Sequence, residues 1–293
     1  MKHYFILVAL VVLSVETIHA EDIKIDSLYY QLDSTSNTAM VVQHDSYSNY
    51  SSLIIPSSVT YNNVQYAVTC INKAFYRCIK LEDVTIPNTV RWIGNFAFYN
   101  SGITHVELPD TLDYLGSAAF EYAFLLKDIT WGRYLYRIGA DAFQHCHSLD
   151  SVSIPDGVQE IGAQAFRYCW NLKSITIPES TTSISFNAFA QCNALSSIYN
   201  YAKTPQYDLS TDAFDEVNKS TCILYVPKQS VELYRKAGVW KDFTNIIGME
   251  EESSALPSVT NSAQAGTNKV FCNGQLLILR DGKTYTVQGQ EIR

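Results

Sequence analysis

The chain has 293 residues, 47% of them hydrophobic, with 21 basic and 29 acidic side chains for a net charge of −8. That is enough apolar sequence for one sizeable core. An acidic chain without Lys/Arg-rich runs argues against nucleic acid or anionic membrane as a main partner.

The first residues set the compartment. Lys2 and His3 precede an apolar run from Phe5 to Val15, and a short polar stretch then ends in Ile18-His19-Ala20. This is the pattern of a signal peptide, cleaved after Ala20. A spanning helix needs roughly 20 apolar residues, more than this run supplies, and no later segment is apolar enough to span. Glu21 rather than a cysteine follows the cleavage point, so no lipid anchor is expected there. The mature chain, residues 21–293, is expected to be exported and soluble, and to reside at the cell surface, in the medium or in the periplasm.

Residues 21–68 alternate apolar and polar in short runs: Leu28 to Leu32, Ala39 to Val42, Leu53 to Ile55 and Val64 to Val68. They predict a small β unit that caps the N-terminal end. From residue 69 to residue 248 the sequence repeats. Ala-Phe occurs at 74–75, 97–98, 119–120, 142–143, 165–166, 188–189 and 213–214, at spacings of 22 to 25 residues. Ile93-Gly94, Leu115-Gly116, Ile138-Gly139 and Ile161-Gly162 keep the same phase, as do Ile86-Pro87, Leu108-Pro109, Ile154-Pro155 and Ile177-Pro178. Trp131-Gly132 occupies the vacant place in the proline series. A period of 20 to 29 residues is that of leucine-rich repeats, each unit being one coil of a solenoid.

One coil reads from Leu149 to Cys169. Residues two apart share a face of a strand, so Val152 and Ile154 point inward while Ser151 and Ser153 point out. Pro155 ends the strand, because it has no N–H to donate onward. Gly162 is expected to permit a tight turn, and Ala165-Phe166 to sit in a short helical turn. The phenylalanines are read as core, each worth about 1.5–3 kcal/mol on burial. After the last coil, Ile223 to Pro227 predicts a closing strand. Ser230 is expected to N-cap a helix that stops at Gly238, with Trp240 and Phe243 as an apolar seal.

The repeated coil Ile161-Gly162-Ala163-Gln164-Ala165-Phe166-Arg167-Tyr168-Cys169 resembles the BspA-type leucine-rich repeats of Bacteroidetes surface proteins. Val59 to Tyr66, Leu224 to Pro227 and Trp240 to Phe243 are similar to that group's terminal units, so the resemblance covers Ile25 to Gly248. It implies a secreted or cell-surface protein, and some members are adhesins for host matrix proteins such as fibronectin and fibrinogen. The fold class expected is an α/β solenoid, mostly β: a right-handed leucine-rich-repeat solenoid with 22–23-residue coils, capped at both ends.

Residues 249–269, rich in Ser, Glu, Ala, Asn and Thr, read as a flexible linker. Residues 270–293 form a tail in which Leu276 to Leu279 and Thr284 to Val287 flank Asp281-Gly282, a two-residue hairpin signal. The tail resembles the end of Bacteroidetes C-terminal sorting domains but is much shorter, and a sorting signal and an inert hairpin both stay open.

The seven cysteines invite a chemical reading. Cys78, Cys146, Cys169 and Cys192 stand three residues after the repeat phenylalanine, where Ser101 and Ala123 stand in two other coils. A place shared by Cys, Ser and Ala is a small buried slot, which predicts free packed thiols. His145-Cys146-His147 has no matching ligands in neighbouring coils, whereas zinc wants three or four convergent side chains. It reads as two outward histidines beside a core thiol. No nucleophile elbow, His-Glu-x-x-His helix or phosphate loop occurs, and solvated pairs such as Glu82-Asp83 have nothing to enclose them. Neither enzymatic activity nor a cofactor is expected.

The phase locates a candidate binding face on the outward strand positions: Asp83 and Thr85, His105 and Glu107, Asp128 and Thr130, Ser151 and Ser153, Ser174 and Thr176, Ser197 and Tyr199. Its first half is charged and its second hydroxyl-rich. A plain soluble face is an equal reading. Three functions fit, in order: an adhesin-like scaffold for a host or bacterial surface protein, including matrix proteins; a glycan-binding surface accessory; and a structural surface-layer component. Tyr199 and Trp131 are the only aromatics near this row, and Trp131 has an inward phase, which ranks protein above glycan.

Overall fold

A computed structural model describes residues 22–250 and, further on, the backbone strands Asn268–Cys272, Gln275–Arg280, Lys283–Thr286 and Glu291–Ile292. The predicted leader, its expected cleavage point and most of the 249–269 segment lie outside the described residues. The chain divides into two compact units at Glu251/Glu252.

In the first unit the alternating N-terminal segment starts an eleven-stranded sheet. Ile23–Ile25, Leu28–Asp33 and Thr38–Val41 pair antiparallel in turn. Thr38–Val41 then pairs parallel with Val64–Ile71, and from there each coil adds one short parallel strand: Trp92–Ile93, Tyr114–Leu115, Arg137–Ile138, Glu160–Ile161, Ser183–Ile184 and Asp208–Leu209. The unit is thus a mostly β solenoid with coils of about 23 residues, as the repeat spacing predicts. The second residue of each short strand from Ile93 to Ile184 is inward and fully buried, because side chains alternate along a strand, and Leu209 in the last is half-buried against the core.

A second row holds Asp83–Thr85, His105–Glu107, Asp128–Thr130, Ser151–Ser153, Ser174–Ile177, Ser197–Asn200, Ile223–Pro227 and Asn245–Met249. The candidate face predicted from the phase does not lie on one continuous sheet. The row forms three: Ser52–Ile54 with Asp83–Thr85, His105–Glu107 with Asp128–Thr130, and a five-stranded sheet beginning at Ser151–Ser153. The last break coincides with Trp131-Gly132, the coil that lacks the proline of its neighbours.

A third side, the turn ridge, carries the Ala-Phe segments, and here the expected helical turn is absent. Consecutive turns run through two residues with left-handed backbone in each coil from Phe75 to Phe189, and through one in the Phe214 coil. One stands two before the phenylalanine, at φ 51–57° (Lys73, Phe96, Ala118, Asp141, Gln164, Asn187), and one stands two after it, at φ 50–62° (Arg77, Asn100, Tyr122, His145, Tyr168, Gln191, Glu216). The reason lies in the next coil. The N–H of each phenylalanine from Phe75 to Phe189 donates to the alanine carbonyl one coil on, at 2.7–2.8 Å, and the residue two later does likewise, as in His145 N–H to Arg167 O at 2.9 Å. A helix would point those donors back along its own turn, so the stacking ladder takes them instead.

Inside the ridge the phenylalanine rings form one column. Neighbouring centroids from Phe75 to Phe214 are 5.0–5.3 Å apart, every ring buried. Tyr47 meets the first ring at 5.3 Å, and Trp240 and Phe243 meet the last at 5.2 and 5.6 Å. The glycines after four of the short strands, Gly94, Gly116, Gly139 and Gly162, have a role other than the one expected. Their φ is not left-handed; a Cβ on Gly139 would lie 2.5 Å from Gly116 O, so the missing side chain lets successive backbones touch.

The closing segment also departs from expectation. The helix spans only Val231–Tyr234, and Ser230 makes no side-chain cap; its hydroxyl donates to Lys203 O at 2.6 Å, tying the helix to an earlier loop. Gly238, at φ +30°, opens a separate 3-10 turn, Gly238–Asp242. In the second unit Gln275–Arg280 and Lys283–Thr286 pair antiparallel with Arg280 opposite Lys283, the hairpin foreseen in the tail, though Asp281-Gly282 itself lies outside the described residues.

Candidate binding site

The strand row presents the predicted side chains outward. Asp83, Thr85, His105, Glu107, Asp128, Thr130, Ser151 and Ser153 are exposed, and Ser174, Thr176, Ser197 and Tyr199 half-buried. Register brings Asp128 beside His105, and the two pair through Nδ1 and Oδ1. Ser151, Ser174 and Ser197 line up as a hydroxyl column, with Ser153, Thr176 and Tyr199 as its neighbour. Tyr199 stacks on Tyr225 at 4.6 Å, a partner the sequence reading did not count. Trp131 is turned in, meeting Phe143 edge-on at 5.5 Å.

The turn ridge carries a feature that sequence reasoning missed. His145 is sandwiched between Tyr122 and Tyr168, with centroids at 4.6 and 4.5 Å and planes within 16°. Two residues further along each coil, His147 lies between Phe124 at 4.9 Å and Trp170 at 4.0 Å. Cross-contacts of 5.5 Å between His145 and His147 and 5.7 Å between Tyr122 and Phe124 join the two columns into a grid of six rings. The left-handed φ of Tyr122, His145 and Tyr168 costs about 1–2 kcal/mol each, and their N–H bonds to the next coil offset it. Phe124 is 40% and Trp170 46% exposed, and the other four rings are half-buried. The signal was available as aromatic residues recurring at 23-residue spacing two and four places after the phenylalanine.

The histidines are therefore not simply outward. His145 Nδ1 and His147 Nε2 lie 3.3 Å apart. Burial lowers both pKa values, His145 also through His147 and Arg167, so the neutral rings are favoured. Cys146 gives no third ligand: its buried thiol donates inward to Phe120 O at 3.3 Å. No group of three or more His, Cys, Asp or Glu able to hold a metal occurs among the described residues. Beside the grid, burial and nearby Asp141 push the Glu121 carboxyl up to about 7.

The thiol slot is as predicted. Cys169 and Cys192 donate to Phe143 O and Phe166 O at 3.3 and 3.2 Å, the same inter-coil bond that Cys146 makes. Cys70, Cys78 and Cys222 are also free, and burial pushes the Cys192 thiol up to about 12. Glu82 and Asp83 stand in solvent on the strand row.

Stacked coils of this repeat are described by the BspA type leucine rich repeat region, whose model matches residues 46–133, 68–196 and 122–228, in six copies. The chain belongs to that family. Among solved structures, the BspA-type chain is similar to a leucine-rich repeat protein from Bacteroides ovatus, at 26% identity and a TM-score of 0.59, covering 72% of this chain and 56% of that one. It thus spans little more than half of that protein. It is also similar to the leucine-rich repeat protein of T. pallidum, at 27% identity and TM-score 0.57, covering 75% of this chain and 93% of that one. A leucine-rich repeat protein from Eubacterium ventriosum, at 20% identity and TM-score 0.54 over 68% of this chain and 50% of that one, shares the fold. Among curated proteins none matches. A BspA-type repeat surface suggests a protein-interaction scaffold at or outside the cell surface, and no described helix is long and apolar enough to cross a membrane.

Proposed function

We propose that this chain is exported and acts as an adhesin-like scaffold, capturing a host matrix protein or another surface protein. The observation that carries this reading is the grid of Tyr122, Phe124, His145, His147, Tyr168 and Trp170. Interface hot spots are enriched in Trp and Tyr, and rings already fixed by stacking lose little freedom on binding. The strand row follows the grid within each coil, four residues separating His147 from Val152. Its exposed Asp83, Glu107 and Asp128 act as the electrostatic approach, which sets association rate more than affinity.

The test starts from the mature chain beginning at Glu21, offered to matrix proteins and to extracts of surface proteins. Against the partner captured, Trp170→Ala is expected to weaken binding about tenfold or more, equivalent to about 1.4 kcal/mol. Replacing Asp83, Glu107 and Asp128 with Asn, Gln and Asn should slow association at low ionic strength and flatten its salt dependence. If both variants bind like the parent, neither surface is the site. Terminal sequencing of protein from the native host that finds residues 1–20 retained would overturn the export step.

A further inference from the structure

A different side of the solenoid carries a groove that the protein-binding reading does not use. Register places Met40, Cys70, Trp92 and Tyr114 side by side on successive parallel strands of the eleven-stranded sheet, on its outward side. Cys70 is short and stands between two long side chains, so the row dips there. The result is an open groove of about 240 Å³ with Asn72 and Asn95 along its side.

Trp92 is 53% exposed. Its ring meets Tyr114 edge-on, at 5.0 Å and 66°, so the two aromatics wall the groove rather than cover each other. Gly94 has no side chain to fill the space beside Asn72, whose Oδ1 a Cβ there would approach to 2.6 Å. Asn95 Oδ1 accepts the Ser117 N–H at 2.8 Å, which orients that amide and leaves its NH₂ without a partner among the described residues. No lining residue carries a formal charge, and Arg91 and Asp113, which precede the two rings, close on each other at 2.6 Å. Burial pushes the Cys70 thiol up to about 11, so the floor is neutral too.

We propose that this groove binds one ring of a neutral glycan, a hexopyranose whose C–H face packs on Trp92 while its hydroxyls bond the amides of Asn72 and Asn95 and the Tyr114 hydroxyl. An aromatic ring with a polar tip suits a ligand that has both an apolar and a polar side. A carboxamide supplies donors and an acceptor together, matching hydroxyls that do both. The volume lies below the roughly 300–1,000 Å³ of sites for drug-sized ligands, and fits a single sugar ring. A sialylated or sulfated glycan would find no cation in the lining, and an apolar side chain from a protein would leave the amide donors unmatched.

The test uses the full mature chain on an array of neutral hexose and N-acetylhexosamine oligosaccharides, with sialylated and sulfated glycans as the anionic arm. Retention on at least one neutral glycan is expected, and calorimetry with that glycan should show binding at least about tenfold weaker in Trp92→Ala. Trp92→Leu, which keeps apolar bulk on the strand, should lose as much with an unchanged melting curve. Trp170→Ala should bind the glycan like the parent. The proposal is overturned by no retention on any neutral glycan, by preference for the anionic arm, or by parent-like binding in Trp92→Leu. It is also overturned if the Trp92 variants lose a protein partner instead. Trp170 lies on the turn ridge, so failure here leaves the protein-binding reading standing, and the reverse also holds.

Discussion

The turn ridge and the strand row are both threaded once by every coil, yet they tolerate different things. On the strand row only the inward residues are constrained, and the outward ones change from Asp83 to Ser151 to Tyr199 without altering the strand. On the ridge even the outward positions are bound by conformation, two in each coil from Phe75 to Phe189 being left-handed. None of those positions holds glycine, the residue that pays least there. Lys, Phe, Ala, Asp, Gln, Asn, Arg, Tyr, His and Glu all appear, held by the inter-coil hydrogen bonds rather than by local preference. Conformation on the ridge is thus a property of the stack, whereas on the strand row it is a property of the segment.

The largest effect that could break this comparison is expected at the ring column. Phe166→Ala should destabilise by about 3–5 kcal/mol, whereas Ser153→Ala on the strand row should stay within about 0.5 kcal/mol; equal midpoints in chemical denaturation would remove the distinction. Next is Gly139→Ala, where the new methyl meets backbone of the preceding coil rather than a movable side chain. About 1–3 kcal/mol should be lost, and a parent-like melting temperature would mean that the coils are not in close contact. The smallest effect sharpens the electrostatics of the ridge. The Glu121 carboxyl is held above its ordinary 4.5, at about 7, so the folded state binds its proton more tightly than the unfolded chain does. Its contribution is present below pH 4.5 and is lost as pH rises through 7. Glu121→Gln should therefore raise the melting temperature relative to the parent at pH 8 and leave it nearly unchanged at pH 4; the same shift at both values would exclude Glu121 as the cause.

Much of the solenoid was legible in the sequence because stacking repeats its demands at a fixed interval. The phenylalanine column, the inward strand residues and the thiol slot all declare themselves as residue types that recur in phase. What stayed hidden follows from interactions between coils. The left-handed positions have no residue signature, the glycine column reads as a turn signal until the facing carbonyl is seen, and Ser230 looks like a cap until Lys203 O takes its hydroxyl. The grid was half visible. His145 and His147 stood out, but only as possible ligands, while the rings that enclose them belong to the coils before and after.

Gly102 stands where other coils have two residues, between Ser101 and Ile103, and a Cβ there would lie 2.3 Å from Ile79 O. The coil is one residue short, and the loss is absorbed in the bend between ridge and strand, leaving both ladders in phase. Gene duplication or deletion of a whole 23-residue segment would likewise preserve every register. Length variation in this lineage should accordingly come in complete coils, or as changes of one or two residues in the bends between ladders, as with the two extra residues between Asn200 and Asp208, which also leave both registers intact.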